Sequence, residues 1–308
     1  MKVGVVVLHY RFWPEVRSTL DAVLAQSRPP DRVVVVDNSS GDGFVPQLRD
    51  AFPTVEMFDA GGNLGYGGGM NLGLEHLLGS GMDAVLLLTH ECRLAPDALA
   101  ALERRLEEEP KVGAVGPLLA YRSAPDVVFS AGGEIDRATW RPRHLKEPRL
   151  VAEWAGSPPR AAEWLDGAAV LVRSAAVREA GMLDEDYFLY FEEAEYLLKL
   201  QRLGWAVECV PAAVAWQEPG NKPTYLWLRN RLRFLARTAP KRHVVRETGR
   251  LAASVVRNSV VSNRVLTPSQ IKDRRRALVH FLTRRWGPDP KGAEAQNENG
   301  RAQGMAGL

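Results

Sequence analysis

VVVVDNSSGDG, residues Val33–Gly43, decides how the first half of this chain folds. Four consecutive β-branched residues leave no wet face, so the strand belongs to a sheet covered on both sides. The run stops on an acid, and Asn-Ser-Ser-Gly then supplies residues suited to turning a backbone. The same apolar signature recurs at Val3–Leu8 and Ala84–Leu88, and Thr54–Phe58 reads as a further strand between them. Helical patterns lie between and after these strands, at Pro14–Gln26, Val45–Ala51, Gly67–Leu78 and Pro96–Glu109. Strand and helix in alternation predict an α/β, Rossmann-like fold: a mostly parallel central sheet with flanking helices.

Beyond Val112 the rhythm changes. Strands are expected at Val112–Ala120, Val127–Ile135 and Ala168–Val172, with Asp136–Glu163 as a long loop. Glu192–Leu203 reads as a helix closed by Gly204, and Trp205–Val210 as a strand stopped by Pro211. From Pro223 to Trp286 helices are expected, broken at Pro240 and near Thr267-Pro268. Tyr225, Leu228, Leu232 and Leu235 make one apolar stripe there, with Arg229, Arg231, Arg233 and Arg237 off it.

In open parallel sheets, ligands bind at the carboxyl ends of the strands. Four loops leave such ends here. The first carries His9, Tyr10 and Arg11, and the second Asp37 and Asn38. Asp37 suits a base or ribose; Asn38 and Ser39 serve equally well as a helix cap. The third loop, GGNLGYGGGMNLG (Gly61–Gly73), has six glycines in its first nine positions. Glycine lets backbone approach a ligand closely, so Gly65 and Gly67 are read as nucleotide contacts, with Asn63 and Asn71 as fixing groups. A tight strand–helix turn is the rival reading. The fourth loop, Thr89-His90-Glu91, lacks the second histidine of a zinc-protease motif, since Leu94 stands at that position. Glu192, Glu193 and Glu195 open a helix after the aromatic run Tyr187–Phe191. The helix dipole favours their charge, whereas mutual repulsion and apolar walls oppose it. A carboxylate so placed can act as a general base; the alternative is a solvated acidic first turn.

These segments, with LLLTHE, WLDGAAVLVR (Trp164–Arg173) and GMLDEDYFLYFEEAEYLLKLQRLGW (Gly181–Trp205), resemble the inverting GT-A glycosyltransferases of family 2, particularly the rhamnosyltransferase-like branch. The similarity covers roughly residues 1–235. It implies a GT-A fold, a nucleoside-diphosphate-sugar donor (UDP- or dTDP-linked) and a hydroxyl acceptor, with inversion at the transferred sugar. It implies Glu193 as catalytic base beside Glu192. Thr89, Glu91, Trp164, Asp166, Gly167 and Trp216 would face donor or acceptor, although Trp164 equally suits core packing. In the family the acid at Glu91 binds a divalent metal, Mg²⁺ or Mn²⁺. Here that acid is Glu rather than Asp, and Trp216 replaces a metal-binding histidine. Tryptophan cannot ligate a metal, so cations such as Arg11, Arg93 or Arg229 would have to offset the diphosphate charge. These departures also motivate a rival reading, a non-catalytic nucleotide-sugar-binding homologue.

The 308 residues are 45% apolar and 25% charged, as a packed core requires. The net charge of +3 conceals a division: Lys222–Trp286 carries 17 Lys/Arg against two acids, while the chain before it is net acidic. Three parts are expected: a GT-A domain at 1–221, a basic helical region at 222–286 and a disordered tail at 287–308. The basic helices suit an anionic membrane surface or a second copy of the chain; no nucleic-acid-reading motif accompanies them. Two cysteines and an N-terminus without a cleavage pattern predict a cytoplasmic protein, peripheral at the inner membrane face.

Overall fold

The computed structural model describes residues 1–11, 13–41, 43, 45–220, 223–260 and 266–288; the tail expected to be disordered lies almost wholly outside them. The chain divides into two compact units, one of Met1–Asp184 with Glu192–Asn221, the other of Glu185–Phe191 with the chain from Lys222 onward.

In the first unit the expected alternation forms. β1 (Val3–His9), α1 (Trp13–Leu24), β2 (Arg32–Asp37), α2 (Val45–Ala51), β3 (Glu56–Asp59), α3 (Gly65–Gly79) and β4 (Ala84–Thr89) follow in order. β5 (Arg93–Leu94), α4 (Ala98–Glu108), β6 (Val112–Tyr121), β7 (Val128–Ser130), β8 (Gly133–Asp136), β9 (Arg141–His144), β10 (Arg160–Ala161), β11 (Ala169–Arg173), α5 (Ser174–Ala180), α6 (Glu192–Arg202) and β12 (Ala206–Gln217) complete the unit. The main sheet runs β10-β12-β6-β11-β4-β1-β2-β3. β4, β1, β2 and β3 are mutually parallel, as are β6 and β12; β11 runs antiparallel between the two groups.

All seven residues of β1 are buried. Its odd-numbered valines, Val3, Val5 and Val7, join one core cluster with Val16 and Leu20 of α1 and Leu99 and Leu102 of α4. Its other face lies against α3 at close range. A Cβ on Gly73 would sit 2.6 Å from a Val6 methyl, and one on Gly69 would strike Leu8. Those two glycines therefore serve helix–strand packing, while Gly61 and Gly62 have open space around their Cβ positions.

Three expectations on the second half are corrected. Val127–Ile135 is two strands, because Gly132 adopts φ +80° and turns the chain between them. The expected long loop contains β9, paired with β8 as a separate hairpin, and β10. β12 passes through Pro211 and runs to Gln217: a register shift between Val210 and Val214 removes the proline from the hydrogen-bonding ladder.

The second unit holds α7 (Thr224–Thr238), α8 (Lys241–Val260) and α9 (Pro268–Leu282). Thr267 caps α9 by accepting from Gln270 N, whose side chain in turn accepts from Thr267 N. Three of the four arginines placed off the apolar stripe are buried, namely Arg229, Arg231 and Arg233. Arg229 is spent on backbone: its Nη2 donates to Tyr187 O at 2.9 Å and its Nη1 to Gly287 O at 2.5 Å. Asn230 beside it donates to the carbonyls of Tyr187, Leu189 and Tyr190 at 2.8, 2.7 and 3.2 Å. The held segment needs such support, because Phe188, Tyr190 and Phe191 all have positive φ, a strained region for large side chains.

Candidate active site

The parallel register brings the strand ends to one edge of the sheet. His9 pairs with Asp37 and Leu8 with Thr89, and Thr89 N donates to Ala168 O at 3.0 Å. The loops after β1, β2 and β4 and the turn before β11 therefore share one edge.

Asp37 closes its own turn, with Oδ1 accepting from Ser40 N at 3.0 Å and from the Ser40 hydroxyl. Asn38 is buried, and its amide is used by protein: Nδ2 donates to Asn63 Oδ1 at 3.1 Å and Gly65 O at 3.0 Å, and Oδ1 accepts from Leu64 N at 2.8 Å. Asn63 Oδ1 also accepts from Gly65 N. Asn38 and Asn63 thus lock the glycine loop to the end of β2. Asn71 exchanges two hydrogen bonds with the backbone of Leu183, at 3.0 and 3.1 Å.

Between the glycines stands Tyr66, which the sequence reading passed over. Its hydroxyl donates to Gly167 O at 2.7 Å. Burial pushes its phenol well above the usual value, and the carboxylates of Glu193, Glu192 and Asp166 push it further. A Cβ on Gly167 would lie 3.0 Å from Tyr66 Oη and 3.5 Å from Glu193 Cγ. Tyr66, Gly167 and Glu193 therefore meet at one point, and the contacts run without a break from the Asp37 turn through Asn38, the glycine loop and Tyr66 to α6. Of the three glutamates opening α6, Glu192 and Glu195 are buried and Glu193 is half-buried, so Glu193 is the one with access to solvent.

Asp166 Oδ1 accepts from Ala168 N at 3.0 Å and from Gln217 Nε2 at 3.4 Å, and its Oδ2 lies 4.0 Å from His144 Nε2. Gln217 and His144 also escaped the sequence reading, since one ends a strand expected to stop at Pro211 and the other lies in the expected loop. Trp164 is buried, with its indole against Gly133 and its Nε1 donating to Glu134 O, so it takes the core-packing alternative.

At the β4 end, Glu91 keeps half its side chain in water. The protein wall and the Glu15 carboxylate nonetheless raise its pKa, against the pull of Arg122. His90 is buried beside His9, ring to ring at 5.4 Å, with Nδ1 3.1 Å from Leu8 O. Burial first, and then His9, lower its pKa to about 4. His9 itself is fully buried in the strand layer. Tyr10 is half-buried and lies under the Arg11 guanidinium, 5.0 Å from its ring.

The family model described as glycosyl transferase family 2 matches residues 4–152, which contain β1 to β4, the glycine loop and Glu91. Residues 4–152 carry that family's domain. An N-acetylglucosaminyl-diphospho-decaprenol L-rhamnosyltransferase of Mycobacterium tuberculosis is 27% identical over 226 residues, 68% of this chain and 73% of that protein. The galactofuranosyltransferase GlfT1 of the same organism is 30% identical over 204 residues, 65% of this chain and 64% of its own. Solved structures share the GT-A fold. GalNAc-T7 with UDP, GalNAc and Mn²⁺ superposes with a TM-score of 0.61 at 14% identity, over 92% of this chain but 56% of that one. A Pyrobaculum calidifontis mannosyltransferase with GDP-Man and Mn²⁺ gives 0.55 at 18% identity, over 91% and 87%.

Those two neighbours contain Mn²⁺, so the donor set of this glycosyltransferase can be tested for a metal. Among the described residues no three His, Cys, Asp or Glu side chains converge as a metal group. Trp216 donates its Nε1 to Pro125 O at 3.2 Å and offers no lone pair. His90 directs its Nδ1 at a carbonyl. Glu91 is the single carboxylate at the family's metal position, and these side chains do not fit a metal held by protein donors alone. Two of the three candidate cations are already committed. Arg93 donates to Thr19 Oγ1 at 2.9 Å and Glu15 Oε2 at 2.7 Å, and Arg229 is buried in α7. Arg11 follows β1 at this sheet edge with φ +61° and its guanidinium over the Tyr10 ring.

Proposed function

We propose that this glycosyltransferase moves a sugar from a UDP- or dTDP-linked donor to an acceptor hydroxyl in one in-line displacement with inversion. Glu193 is the base. It takes the hydroxyl proton while the acceptor oxygen bonds to the anomeric carbon. The bond from that carbon to the diphosphate oxygen breaks, and its electron pair leaves with the nucleoside diphosphate. Asp37 and the open backbone at Gly61 and Gly62 hold the nucleotide, and Arg11 offsets diphosphate charge. Asp166, oriented by Gln217 and Ala168 N, and Thr89 face the sugar or acceptor.

The observation carrying this reading is the convergence of Tyr66, Gly167 and Glu193. It joins the nucleotide-loop side of the site to the helix bearing the half-buried carboxylate. The relatives support the class of chemistry: the names of the two mycobacterial proteins describe sugar transfer, and the two solved neighbours hold UDP and GDP-Man. A half-buried base needs only its own deprotonation and a positioned hydroxyl.

The experiment is nucleoside-diphosphate release from a panel of donor sugars, with product stereochemistry read by NMR. Glu193→Gln should lower kcat by a factor on the order of 10²–10⁴ with KM for the donor nearly unchanged. Full turnover by that variant overturns the base assignment. Donor binding with no turnover by the wild type favours the non-catalytic rival, and a product that retains the donor configuration overturns inversion.

A further inference from the structure

We propose that the second unit docks on an anionic lipid bilayer through the exposed faces of α8 and α9, which insert aliphatic side chains between headgroups held by arginines. At 100° per residue, one side of α8 presents Val245 and Val256, three turns apart, with Arg242, Arg246, Arg250 and Arg257 along the flank. Val245 is 71% exposed and Val256 63%. The opposite side of α8 carries the buried His243, Leu251 and Asn258. α9 repeats the arrangement: Val279 and Leu282 are exposed on the stripe that carries Lys272 and Arg275, while Ala277 is buried.

The charge pattern selects the partner. The two acids of α8 and α9, Glu247 and Asp273, are half-buried, so the exposed side chains of these helices include no carboxylate. A second copy would bring the same positive face against itself and be repelled. Duplex DNA would satisfy the arginines but leave the aliphatic side chains against sugar and phosphate. An anionic bilayer takes both: its surface attracts the arginines, and the acyl boundary receives Val245, Val256, Val279 and Leu282. No helix among the described residues is long and apolar enough to cross a membrane, so the contact is peripheral. The inference is independent of the transfer reaction, because it uses none of the active-site residues.

The test is flotation of the full chain with vesicles of phosphatidylcholine alone or with an equal share of phosphatidylglycerol. The chain should float with the anionic vesicles at about 0.1 M salt, stay behind with the neutral ones, and be released near 1 M, where the Debye length falls to about 3 Å. Arg242→Gln with Arg250→Gln and Arg257→Gln should weaken partitioning about a hundredfold, at roughly fivefold per basic residue. Val245→Ser with Val256→Ser and Leu282→Ser should weaken it by about tenfold or more at unchanged thermal midpoint. Equal flotation with neutral vesicles, no flotation at all, or tighter binding to duplex DNA than to anionic vesicles overturns the proposal. So does a soluble dimer that the Val245, Val256 and Leu282 substitutions dissociate.

Discussion

Gly167→Ala tests the centre of the site with one methyl group. Gly167 is not among the positive-φ residues, so the backbone tolerates alanine and only contacts decide the outcome. The new Cβ would lie 3.0 Å from Tyr66 Oη, 3.1 Å from Tyr66 Cζ and 3.5 Å from Glu193 Cγ. The first two are too short to leave Tyr66 in place. Overpacking of this kind costs about 1–3 kcal/mol. If Tyr66 swings aside it also gives up its 2.7 Å hydrogen bond to Gly167 O, worth about 1 kcal/mol. Either movement displaces the turn beside Glu193 by a few tenths of an ångström, and a displacement of that size should lower kcat roughly tenfold. Urea unfolding followed by tryptophan fluorescence reads the stability, and nucleoside-diphosphate release reads the rate. Tyr66→Phe in the same chain removes the nearer contact, so the double variant should be more stable than the sum of the single effects by about 0.5–1 kcal/mol. A Gly167→Ala protein within about 0.5 kcal/mol of wild type and at full rate refutes the convergence of Tyr66, Gly167 and Glu193.

His90 makes stability depend on pH. Its folded pKa of about 4 lies below the ordinary 6.5, because burial, His9 and Arg93 oppose the charge more than the Leu8 carbonyl and Glu15 favour it. The unfolded chain therefore binds the extra proton, and the contribution is present above pH 6.5 and lost as pH falls to 4, about 3 kcal/mol in all. Denaturant titrations across that window should show a smaller pH slope in His90→Gln, and an identical slope sinks the assignment. Asn230→Ala leaves the Leu189 and Tyr190 carbonyls without the amide they share, and should lower the unfolding free energy by about 2–4 kcal/mol. An unchanged urea midpoint would mean that the left-handed segment Phe188–Phe191 needs no such support.

Periodicity made the first half of the fold legible, because three strands with continuous buried apolar runs, β1, β2 and β4, belong in a covered parallel sheet. The acid at the β2 end and the glycine loop were legible for the same reason, since loops after parallel strands share one edge. Sequence could not say which side chains in those loops face a ligand. Asn38 and Asn63 are amides in the right loops and Asn71 lies in the helix that follows, yet each bonds to protein backbone or to another amide. The arginines of α7 show a similar limit: an amphipathic stripe predicts exposed charge, but Arg229 is buried because a strained loop 42 residues earlier offers it a carbonyl. β12 outran Pro211 through a bulge that only its partner strand reveals.

What the amino-acid order determined alone is the layered α/β core and the sheet edge that its loops share, for these follow from local hydrophobic patterns. Tertiary structure decided which polar groups are spent on holding loops, and that Tyr66 and Gly167, 101 residues apart, meet beside Glu193. The physical reason is that a buried hydrogen bond is satisfied by whatever packing brings near, and that proximity is not written in spacing along the chain.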